Sequence, residues 1–373
     1  MKILVVGAGV GGLTLAVAAQ RRGFEVTVLE KRSALAQEGA GIVLGPNVMA
    51  ALEPLGLAEP ILEISSPVES MAITDSLGRV LSQTHYSSGQ LPFTGRAAHR
   101  SLLLTTLREA FEGEIRLGSD VSAFQTAPRP SVRSDAELFE ADLVVAADGI
   151  RSRLREALVP GFMPRYSGTT CWRFVVDHQP SDQVVEMWGV GKRVGVVPLA
   201  GGQSYVFLTA NAAPRTPSPF ENLSDFKAYW SEFEQPAKGV LDALGDLSRV
   251  LHNDLEDGIP SVWHRPGLVL LGDSAHAVTP NLGQGAGLAV EDACCLASLL
   301  GAPDALSRYE ALRRPRATWI RDRSYAVGKV AQLENRWLCK VRNKLVSWTP
   351  DSANQATMKR LLLEMPGVPI ASR

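Results

Sequence analysis

The alternation of apolar and polar positions predicts a first unit in which strands alternate with helices. Residues 3–6 form an apolar, β-branched run that predicts a buried strand, and the small and apolar residues 13–19 suit a helix. Residues 25–29 predict a second strand. Two further buried strands are predicted within 141–147 and 267–271, and a glycine-rich loop after the latter opens a helix over 288–300. This alternation predicts a parallel sheet.

The pattern changes in the middle of the chain. Residues 166–208 predict four short strands without intervening helices, which is typical of an antiparallel sheet, and residues 68–83 predict an earlier β-hairpin. Residues 309–370 predict helices with charged faces. We interpret the arginines on those faces as solvated: Arg313, Arg314, Arg316, Arg321 and Arg323. The predicted class is α/β (α+β overall), with a Rossmann-like domain, an inserted antiparallel β-sheet domain and C-terminal helices.

The predicted domains are discontinuous. Residues 1–70, 97–165 and 262–305 are assigned to the nucleotide-binding domain. Residues 71–96 and 166–261 are assigned to a substrate-binding β-sheet domain, and residues 306–373 to a C-terminal helical segment.

A glycine motif joins the first strand to the first helix. Its pattern is Gly7-x-Gly9-x-x-Gly12, and Glu30 follows the second strand. Gly7 permits a tight turn, Gly9 admits a pyrophosphate, and Gly12 allows close packing of helix and strand. The free N–H groups that open the helix attract phosphates, and Glu30 is placed to accept hydrogen bonds from ribose hydroxyls. The motif predicts a bound dinucleotide.

Two acidic turns follow the later strands, where ligands gather in an open parallel sheet. The first contains Asp148 and Gly149 and is predicted to lead through Ser152 into a helix. An ordinary strand-to-helix turn is the alternative to a ligand site here. The second contains Gly272 and Asp273. The loop that opens the helix after it predicts an anion or carbonyl site, formed by Gly283, Gly285 and Ala286. Two arginines are phosphate candidates, Arg32 and Arg100, and solvated surface is the alternative for Arg32.

Composition excludes several function classes. The net charge of −1 leaves no basic footprint for nucleic acid, and no apolar run reaches the ~18 residues of a membrane span. We therefore expect neither nucleic acid nor a membrane as a partner. Cys294 and Cys295 are adjacent in an apolar helical run and are predicted to be buried thiols. Four cysteines without a C-x-x-C pair predict a cytoplasmic location, and six scattered histidines predict no metal site. A secretory signal peptide is the alternative for the opening residues, but its glycines argue against it.

The order of the three motifs resembles the single-component FAD-dependent aromatic hydroxylases, the group A flavoprotein monooxygenases. The resemblance covers nearly the whole chain. It implies FAD as cofactor, NADH or NADPH as co-substrate, and O₂ with a small aromatic or heteroaromatic substrate. Oxygen transfer in that family proceeds through a C4a-hydroperoxyflavin, so the resemblance implies hydroxylation. A homodimer is left open.

The resemblance also implies roles for single residues. Asp273 would bind a ribityl hydroxyl, and the N–H groups of Gly285 and Ala286 would face the flavin N1/C2 edge. Glu30 would bind the adenosine ribose and Arg100 the phosphate region. The Asp148 motif would serve both FAD and NAD(P)H. Pro280 would lie beside the reacting face of the flavin.

Residues 191–198 and Tyr205 look most like the branch of urate and salicylate-type hydroxylases. This likeness implies that Arg193 and Tyr205 contact the substrate. The alternative is that they are ordinary residues of an antiparallel sheet, one exposed to solvent and the other packed in the core. Asn281 stands where a urate-type enzyme has Asp. His276 is expected near the flavin as a structural residue bonded to backbone, and a proton relay is the alternative. The rival functions are a flavin oxidase, dehydrogenase or halogenase-like enzyme, and a non-catalytic flavin carrier.

Overall fold

A computed structural model describes residues 1–35, 40–85, 91–134, 137–349 and 351–370, with residues 351–355 described by backbone alone. Parts of the predicted substrate domain and of the C-terminal segment, residues 86–90 and 371–373, lie outside these ranges. In chain order the strands are β1 (Lys2–Val6), β2 (Glu25–Glu30), β3 (Gly41–Leu44), β4 (Ser65–Val68), β5 (Ser70–Asp75), β6 (Val80–His85), β7 (Gly95–His99), β8 (Glu114–Leu117), β9 (Val121–Gln125), β10 (Ser131–Ser134), β11 (Glu137–Glu140), β12 (Leu143–Ala146), β13 (Arg165–Val176), β14 (Val184–Trp188), β15 (Lys192–Leu199), β16 (Gln203–Asn211), β17 (Leu251–Asp257), β18 (His264–Arg265) and β19 (Leu268–Leu270).

The helices lie mostly at the two ends of the chain. They are α1 (Val10–Arg21), α2 (Pro46–Leu52), α3 (Ala58–Glu63), α4 (Arg100–Glu109), α5 (Leu223–Tyr229), α6 (Ala237–Ala243), α7 (Asp273–His276), α8 (Gly285–Leu299), α9 (Ala305–Ala331), α10 (Arg336–Ser347) and α11 (Asp351–Leu363). Short 3₁₀ turns occur at Glu53–Leu55, Leu154–Ala157, Leu247–Arg249 and Pro280–Leu282. Among the described residues, no helix is both long and apolar enough to span a bilayer.

The predicted parallel sheet is confirmed. Its order is β18-β19-β12-β1-β2-β8, and every pair except β18–β19 is parallel. β1 lies at the centre, so the glycine turn after Val6 opens at the carboxyl edge of the sheet. Helices α1 and α8 pack against each other, and their apolar residues form the main core with the sheet. The carboxyl ends of β1, β12 and β19 therefore bring the three motifs to one edge.

A seven-stranded sheet forms the second layer, in the order β17-β13-β16-β15-β14-β5-β6. The four strands predicted within 166–208 are present as β13, β14, β15 and β16. Their mutual pairings β14–β15, β15–β16 and β13–β16 are all antiparallel, so β13 lies beside β16 and not beside β14. The predicted hairpin is also confirmed as β5 and β6, and β5 pairs with β14 in parallel. Helices α5 and α6 cover one face with an apolar cluster.

The segment after Asp148 differs from its prediction. We expected a helix through Ser152, but the chain forms only the 3₁₀ turn Leu154–Ala157. The reason is local, because the Asp148 carboxylate accepts the N–H groups of Arg153 and Leu154 at 2.9 and 3.4 Å. These side-chain acceptors hold a compact turn in place of a helix.

Candidate active site

A cavity of about 440 Å³ lies between the carboxyl edge of the parallel sheet and one face of the seven-stranded sheet. Most of the site residues predicted from the sequence line it. They are Gly9, Gly12, Arg100, Arg193, Tyr205, Gly272, Asp273, Pro280, Gly283, Gly285 and Ala286. Four predicted residues do not line it: Gly7, Glu30, Arg32 and Asp148. The cavity thus joins the cofactor candidates and the substrate candidates in one space.

The N-terminus of α1 opens into this cavity. No side chain caps it at Gly9, and Leu13 donates the first N–H bond, to the Gly9 carbonyl at 2.9 Å. A Cβ atom built on Gly9 would meet nothing within 4 Å, whereas one on Gly12 would lie 2.0 Å from the Gly7 carbonyl oxygen. Gly12 therefore allows α1 to pack on β1, and Gly9 leaves free space in front of unpaired N–H groups.

The N-terminus of α8 opens into the same cavity. Gln284 precedes it without a side-chain cap, and Leu288 donates to the Gln284 carbonyl at 2.8 Å. The nearest atom to a Cβ built on Gly285 would be Val278 Cγ2, at 3.7 Å. Two uncapped helix N-termini in one cavity provide N–H donors for phosphates at one end and ring carbonyls at the other. The residues present therefore fit a flavin dinucleotide.

Glu30 supports the glycine turn from behind. Its carboxylate accepts the Ala8 N–H at 2.9 Å and the Arg32 N–H at 3.0 Å. Arg100 begins α4 and lines the cavity. Burial lowers the pKa of Arg100, and the charges of Arg32 and Arg173 add to that effect, while Asp273 and Glu30 oppose it.

Asp148 links two of the motifs to each other. Its carboxylate accepts the Ser274 hydroxyl at 3.0 Å, and the Gly149 N–H donates to the Ser274 oxygen at 3.0 Å. Gly7 adjoins the same turn, because a Cβ built on it would lie 2.3 Å from the Ala147 carbonyl oxygen. The three motifs thus converge at this edge of the sheet. Asp148 contributes to this convergence by holding the turn rather than by facing the cavity.

The substrate end of the cavity contains a buried ion pair that sequence reasoning missed. Arg193 donates to Glu186 at 2.9 Å, and the two residues are 2% and 5% exposed. Trp188 Nε1 donates to the same Glu186 oxygen at 2.8 Å. Arg193 also donates to Asn281 at 2.8 Å and to Gln332 at 2.9 Å. Arg193 lines the cavity as predicted, but a carboxylate balances its charge.

Arg173 also lines the cavity, where it donates to Asn253 at 2.5 Å, and several apolar side chains lie near it. Tyr205 and Phe207 line this end, with ring centroids 6.1 Å apart, together with Val197 and Leu255. Burial raises the pKa of Tyr205 well above its usual value, so its hydroxyl stays protonated. A Cβ built on Gly41 would lie 2.5 Å from Tyr205 Cβ, so this glycine admits the tyrosine. A smaller polar cavity of about 250 Å³ shares Arg193, Leu255 and Asn281 with this wall.

The interpretation of all the C-terminal arginines as solvated is wrong for Arg313 and Arg316. Arg313 of α9 donates to Glu291 at 2.6 Å and to Asp292 at 2.7 Å, and Arg316 donates to both Glu291 oxygens at 2.6 Å. All four side chains are buried. The signal was present in the sequence, because Glu291 and Asp292 interrupt an otherwise apolar helix and therefore need buried cations.

The buried network reaches the cofactor end of the cavity. Asp292 accepts the Gly272 N–H at 3.4 Å and contacts His276 Nε2. Burial opposes protonation of His276, but Asp292 outweighs it and raises the pKa. His276 is thus structural as expected, although its partner is a carboxylate and not backbone. On the other side, Asn47 Nδ2 donates to Glu291 at 2.8 Å and to Gln284, at the start of α8, at 3.3 Å.

Comparisons with known proteins agree with this geometry. Residues 1–324 match a family model described as FAD binding domain. The chain is 35% identical to the aurachin C monooxygenase/isomerase of Stigmatella aurantiaca, over 97% of this chain and 98% of that protein. It is 34% identical to a 2-heptyl-3-hydroxy-4(1H)-quinolone synthase of Pseudomonas aeruginosa, over 97% of each. It superposes with a TM-score of 0.86 on HpxO of Klebsiella pneumoniae complexed with FAD and uric acid, at 26% identity, covering 98% of this chain and 97% of that one.

Proposed function

The chain belongs to the FAD-binding-domain family of flavin-dependent monooxygenases, and from that premise we propose that its substrate is an uncharged 4-quinolone ring with an apolar substituent. The protein is an FAD-dependent monooxygenase that uses NAD(P)H, as is typical of the family, to hydroxylate an aromatic substrate. The proposal concerns which ring is accepted and which side chains hold it.

The buried pair of Glu186 and Arg193 carries the proposal. A free buried guanidinium would favour an anionic substrate, but Arg193 is already balanced by a carboxylate at 2.9 Å. Tyr205 and Phe207 form an aromatic part of the same cavity wall, and Val197 and Leu255 add apolar surface to it. Such a wall favours a neutral planar ring over urate or a benzoate.

The relatives point the same way. The relative named as a quinolone synthase is 34% identical over 97% of this chain, whereas a relative named as a urate hydroxylase is 29% identical over 92%. The product named for the former carries a hydroxyl on a quinolone ring and a heptyl chain. The neutralised pair of Glu186 and Arg193 beside an aromatic wall suits that chemistry. This proposal departs from the urate-like branch expected from residues 191–198.

Glu186 has a role in this proposal. Among the residues that the structure describes, it is one of two carboxylates that line the cavity, the other being Asp273. A 4-quinolone has one ring N–H, and in this proposal the Glu186 carboxylate accepts it. That hydrogen bond pushes electron density into the ring and stabilises the positive charge that develops on nitrogen when a ring carbon takes up oxygen. Arg193 and Trp188 keep the Glu186 carboxylate in position.

Other side chains are proposed to hold FAD. The phosphates would face the N-terminus of α1 with Arg100 beside them, and Asp273 would accept a ribityl hydroxyl. The N–H groups of Gly285 and Ala286 would bind the ring carbonyl edge, with Pro280 beside the ring and Glu30 near the ribose. When bound, FAD supplies electron transfer from NAD(P)H and activation of O₂. The protein excludes water around the ring by enclosing it between two sheets.

A ligand comparison tests the substrate proposal. The FAD-loaded enzyme is mixed in air with NADH or NADPH and a 2-alkyl-4-quinolone, urate, salicylate or 3-amino-4-hydroxybenzoate. We expect only the quinolone to accelerate NAD(P)H consumption and to yield a product heavier by one oxygen. Acceleration by urate or a phenolic acid without any by the quinolone would contradict the substrate proposal. Stoichiometric peroxide with every ligand unchanged would favour the oxidase alternative.

The location of the enzyme is also a proposal. All four cysteines are buried and free, and the burial predicted for Cys294 and Cys295 is confirmed. Burial raises the pKa of the Cys171 thiol to about 11 and of Cys294 and Cys295 to about 12, so these thiols are unreactive. Free thiols and a need for NAD(P)H support the cytoplasm as the compartment. A homodimer remains a prediction.

A further inference from the structure

Helix α10 presents an exposed apolar stripe. Trp337, Val341, Leu345 and Trp348 recur at steps of four, four and three, so they lie along one side of the helix, and Leu338 adjoins them. Trp337 is 72% exposed and Trp348 is 65% exposed. Tryptophan side chains rarely have so large an exposed fraction, so an exposed stripe that contains two of them indicates a binding surface.

A stripe of positive charge lies beside the apolar one. Arg336, Lys340 and Lys344 recur at steps of four, and all three are exposed. Residues 336–349 contain no acidic side chain, although the net charge of the whole chain is −1. The positive charge is therefore concentrated on this helix and is not a property of the overall surface.

The opposite side of α10 fixes the helix to the protein. Arg342 is buried and donates to the Ala331 carbonyl at 2.8 Å and the Gly189 carbonyl at 3.2 Å. Cys339 is buried on the same side. Asn335 caps the helix by accepting the N–H groups of Trp337 and Leu338 at 2.9 and 3.1 Å. The two exposed stripes are thus held in a fixed orientation on a folded helix.

We propose that α10 docks the enzyme on an anionic lipid bilayer, with the tryptophan stripe in the interface and the cations on the headgroups. An apolar face with Trp and Leu beside a face of Lys and Arg is the pattern of helices that lie in the plane of a membrane surface. Tryptophan prefers the headgroup level, where its ring is apolar and its N–H stays hydrated. The proposal replaces our expectation that no membrane takes part, and it is independent of the substrate.

Charge argues for lipid over a second copy of this chain. A symmetric dimer through α10 would place the stripe of Arg336, Lys340 and Lys344 against or close to itself, and like charges repel. Anionic headgroups instead carry the opposite charge to these side chains, and each Lys or Arg near the surface strengthens the binding of the protein to the bilayer. The occupant that fits both stripes is therefore an anionic bilayer.

Vesicle flotation with the FAD-loaded full chain tests this inference. At low salt we expect the enzyme to float with vesicles of phosphatidylcholine and phosphatidylglycerol. With vesicles of phosphatidylcholine alone, we expect it to remain at the bottom of the gradient. The double variant Trp337→Gln/Trp348→Gln should lose flotation. The matched control is Met163→Gln, because Met163 is 71% exposed on a different surface.

The charge component has its own variant. Arg336→Gln/Lys340→Gln/Lys344→Gln should lower the partition coefficient on anionic vesicles by about a hundredfold. Arg108→Gln/Lys238→Gln/Arg249→Gln makes the same change in net charge elsewhere and should leave partition unchanged. FAD content and NAD(P)H consumption should match the wild type in all variants, since none of these residues lines the cavity.

Two outcomes would overturn the inference. One is wild-type protein that stays behind with anionic vesicles, or a tryptophan variant that floats as well as the wild type. The other is a dimer in light scattering that the tryptophan variant converts to monomer without any vesicle binding by the wild type, which would assign this face to a second copy.

Discussion

The guanidinium of Arg193 lies 2.9 Å from the carboxylate of Glu186, and both side chains are almost fully buried in the cavity wall. The two residues lie on adjacent strands, β14 and β15, that pair antiparallel. Their charges cancel inside the site. This pair therefore adds no net charge to the cavity wall beside the proposed substrate position, and Glu186 presents a carboxylate acceptor there.

Removing one charge of this pair should destabilise the protein more than removing both charges. Arg193→Gln leaves the Glu186 carboxylate buried beside Trp188 alone, so we expect the free energy of unfolding to fall by about 3–5 kcal/mol. In Glu186→Gln/Arg193→Gln both charges are absent. We expect this variant to recover more than half of the unfolding free energy that Arg193→Gln loses. Urea unfolding of the three proteins measures the effect. Equal losses in the single and double variants would argue against a coupled pair.

Two glycines of the opening turn should respond differently to alanine. Gly9→Ala adds a methyl group to free space in the cavity, where the backbone φ of −79° tolerates it. The fold should be unchanged, and FAD affinity should fall at least about tenfold because the methyl group occupies the proposed phosphate position.

Gly12→Ala is the contrasting variant. Its methyl group would lie 2.0 Å from the Gly7 carbonyl oxygen, so we expect a loss of about 3 kcal/mol or more in unfolding free energy. Flavin fluorescence titration and thermal unfolding separate the two effects. If Gly9→Ala bound FAD like the wild type, the phosphates would not lie at this turn.

The buried arginine of α9 should matter far more than its exposed neighbour. Arg313→Met leaves Glu291 and Asp292 short of a cation, which should destabilise the fold by about 3–5 kcal/mol. FAD should also bind more weakly, since Asp292 accepts the Gly272 N–H. Arg314→Met is the matched control, because its pair with Glu310 is partly exposed and should contribute less than about 1 kcal/mol. Similar losses in both variants would contradict the buried network.

Stability should depend on pH through His276 and Asp292. Burial raises the pKa of Asp292, but His276 and Arg313 lower it from 3.8 to about 2. Its contribution, about 2 kcal/mol, is present above pH 3.8 and is lost as the pH falls toward 2. The pKa of His276 is raised from 6.5, so its contribution is present below pH 6.5 and is lost as the pH rises through the folded-state value.

The variant His276→Gln isolates the alkaline limb. Unfolding free energy measured in urea across pH should fall above pH 6.5 for the wild type and lose that slope in the variant. His178→Gln is the control, because His178 is exposed. A wild-type curve that stays flat from neutral to alkaline pH would refute the pairing of His276 with Asp292.

The sequence predicted the parts of the site that depend on local pattern. The turn at Gly7, Gly9 and Gly12 could be predicted because glycine spacing and strand periodicity are properties of adjacent residues. The proximity of the Asp148 turn to the turn after β19, where Ser274 donates to Asp148, followed from topology, since the carboxyl ends of parallel strands share one edge.

The missed features depend on partners that are distant or on another strand. Glu186 was one polar position in an otherwise apolar strand, and its pairing requires the register that places Trp188 opposite Arg193. Arg313 was assigned to solvent because an arginine in a long polar helix is usually exposed. The two acids in the apolar run of α8 indicated buried partners, but periodicity alone could not say which cations reach them.

Reaction under ¹⁸O₂ tests the central claim most directly, that this cavity brings FAD and a neutral quinolone ring together for oxygen transfer. FAD-loaded enzyme is given NAD(P)H and a 2-alkyl-4-quinolone, and the product is analysed by mass. The account predicts one ¹⁸O atom in the product for each NAD(P)H consumed, and a loss of about 10²-fold or more in kcat/KM for Glu186→Gln/Arg193→Gln with FAD still bound. Unlabelled quinolone together with stoichiometric peroxide, or an unchanged rate in that variant, would contradict it.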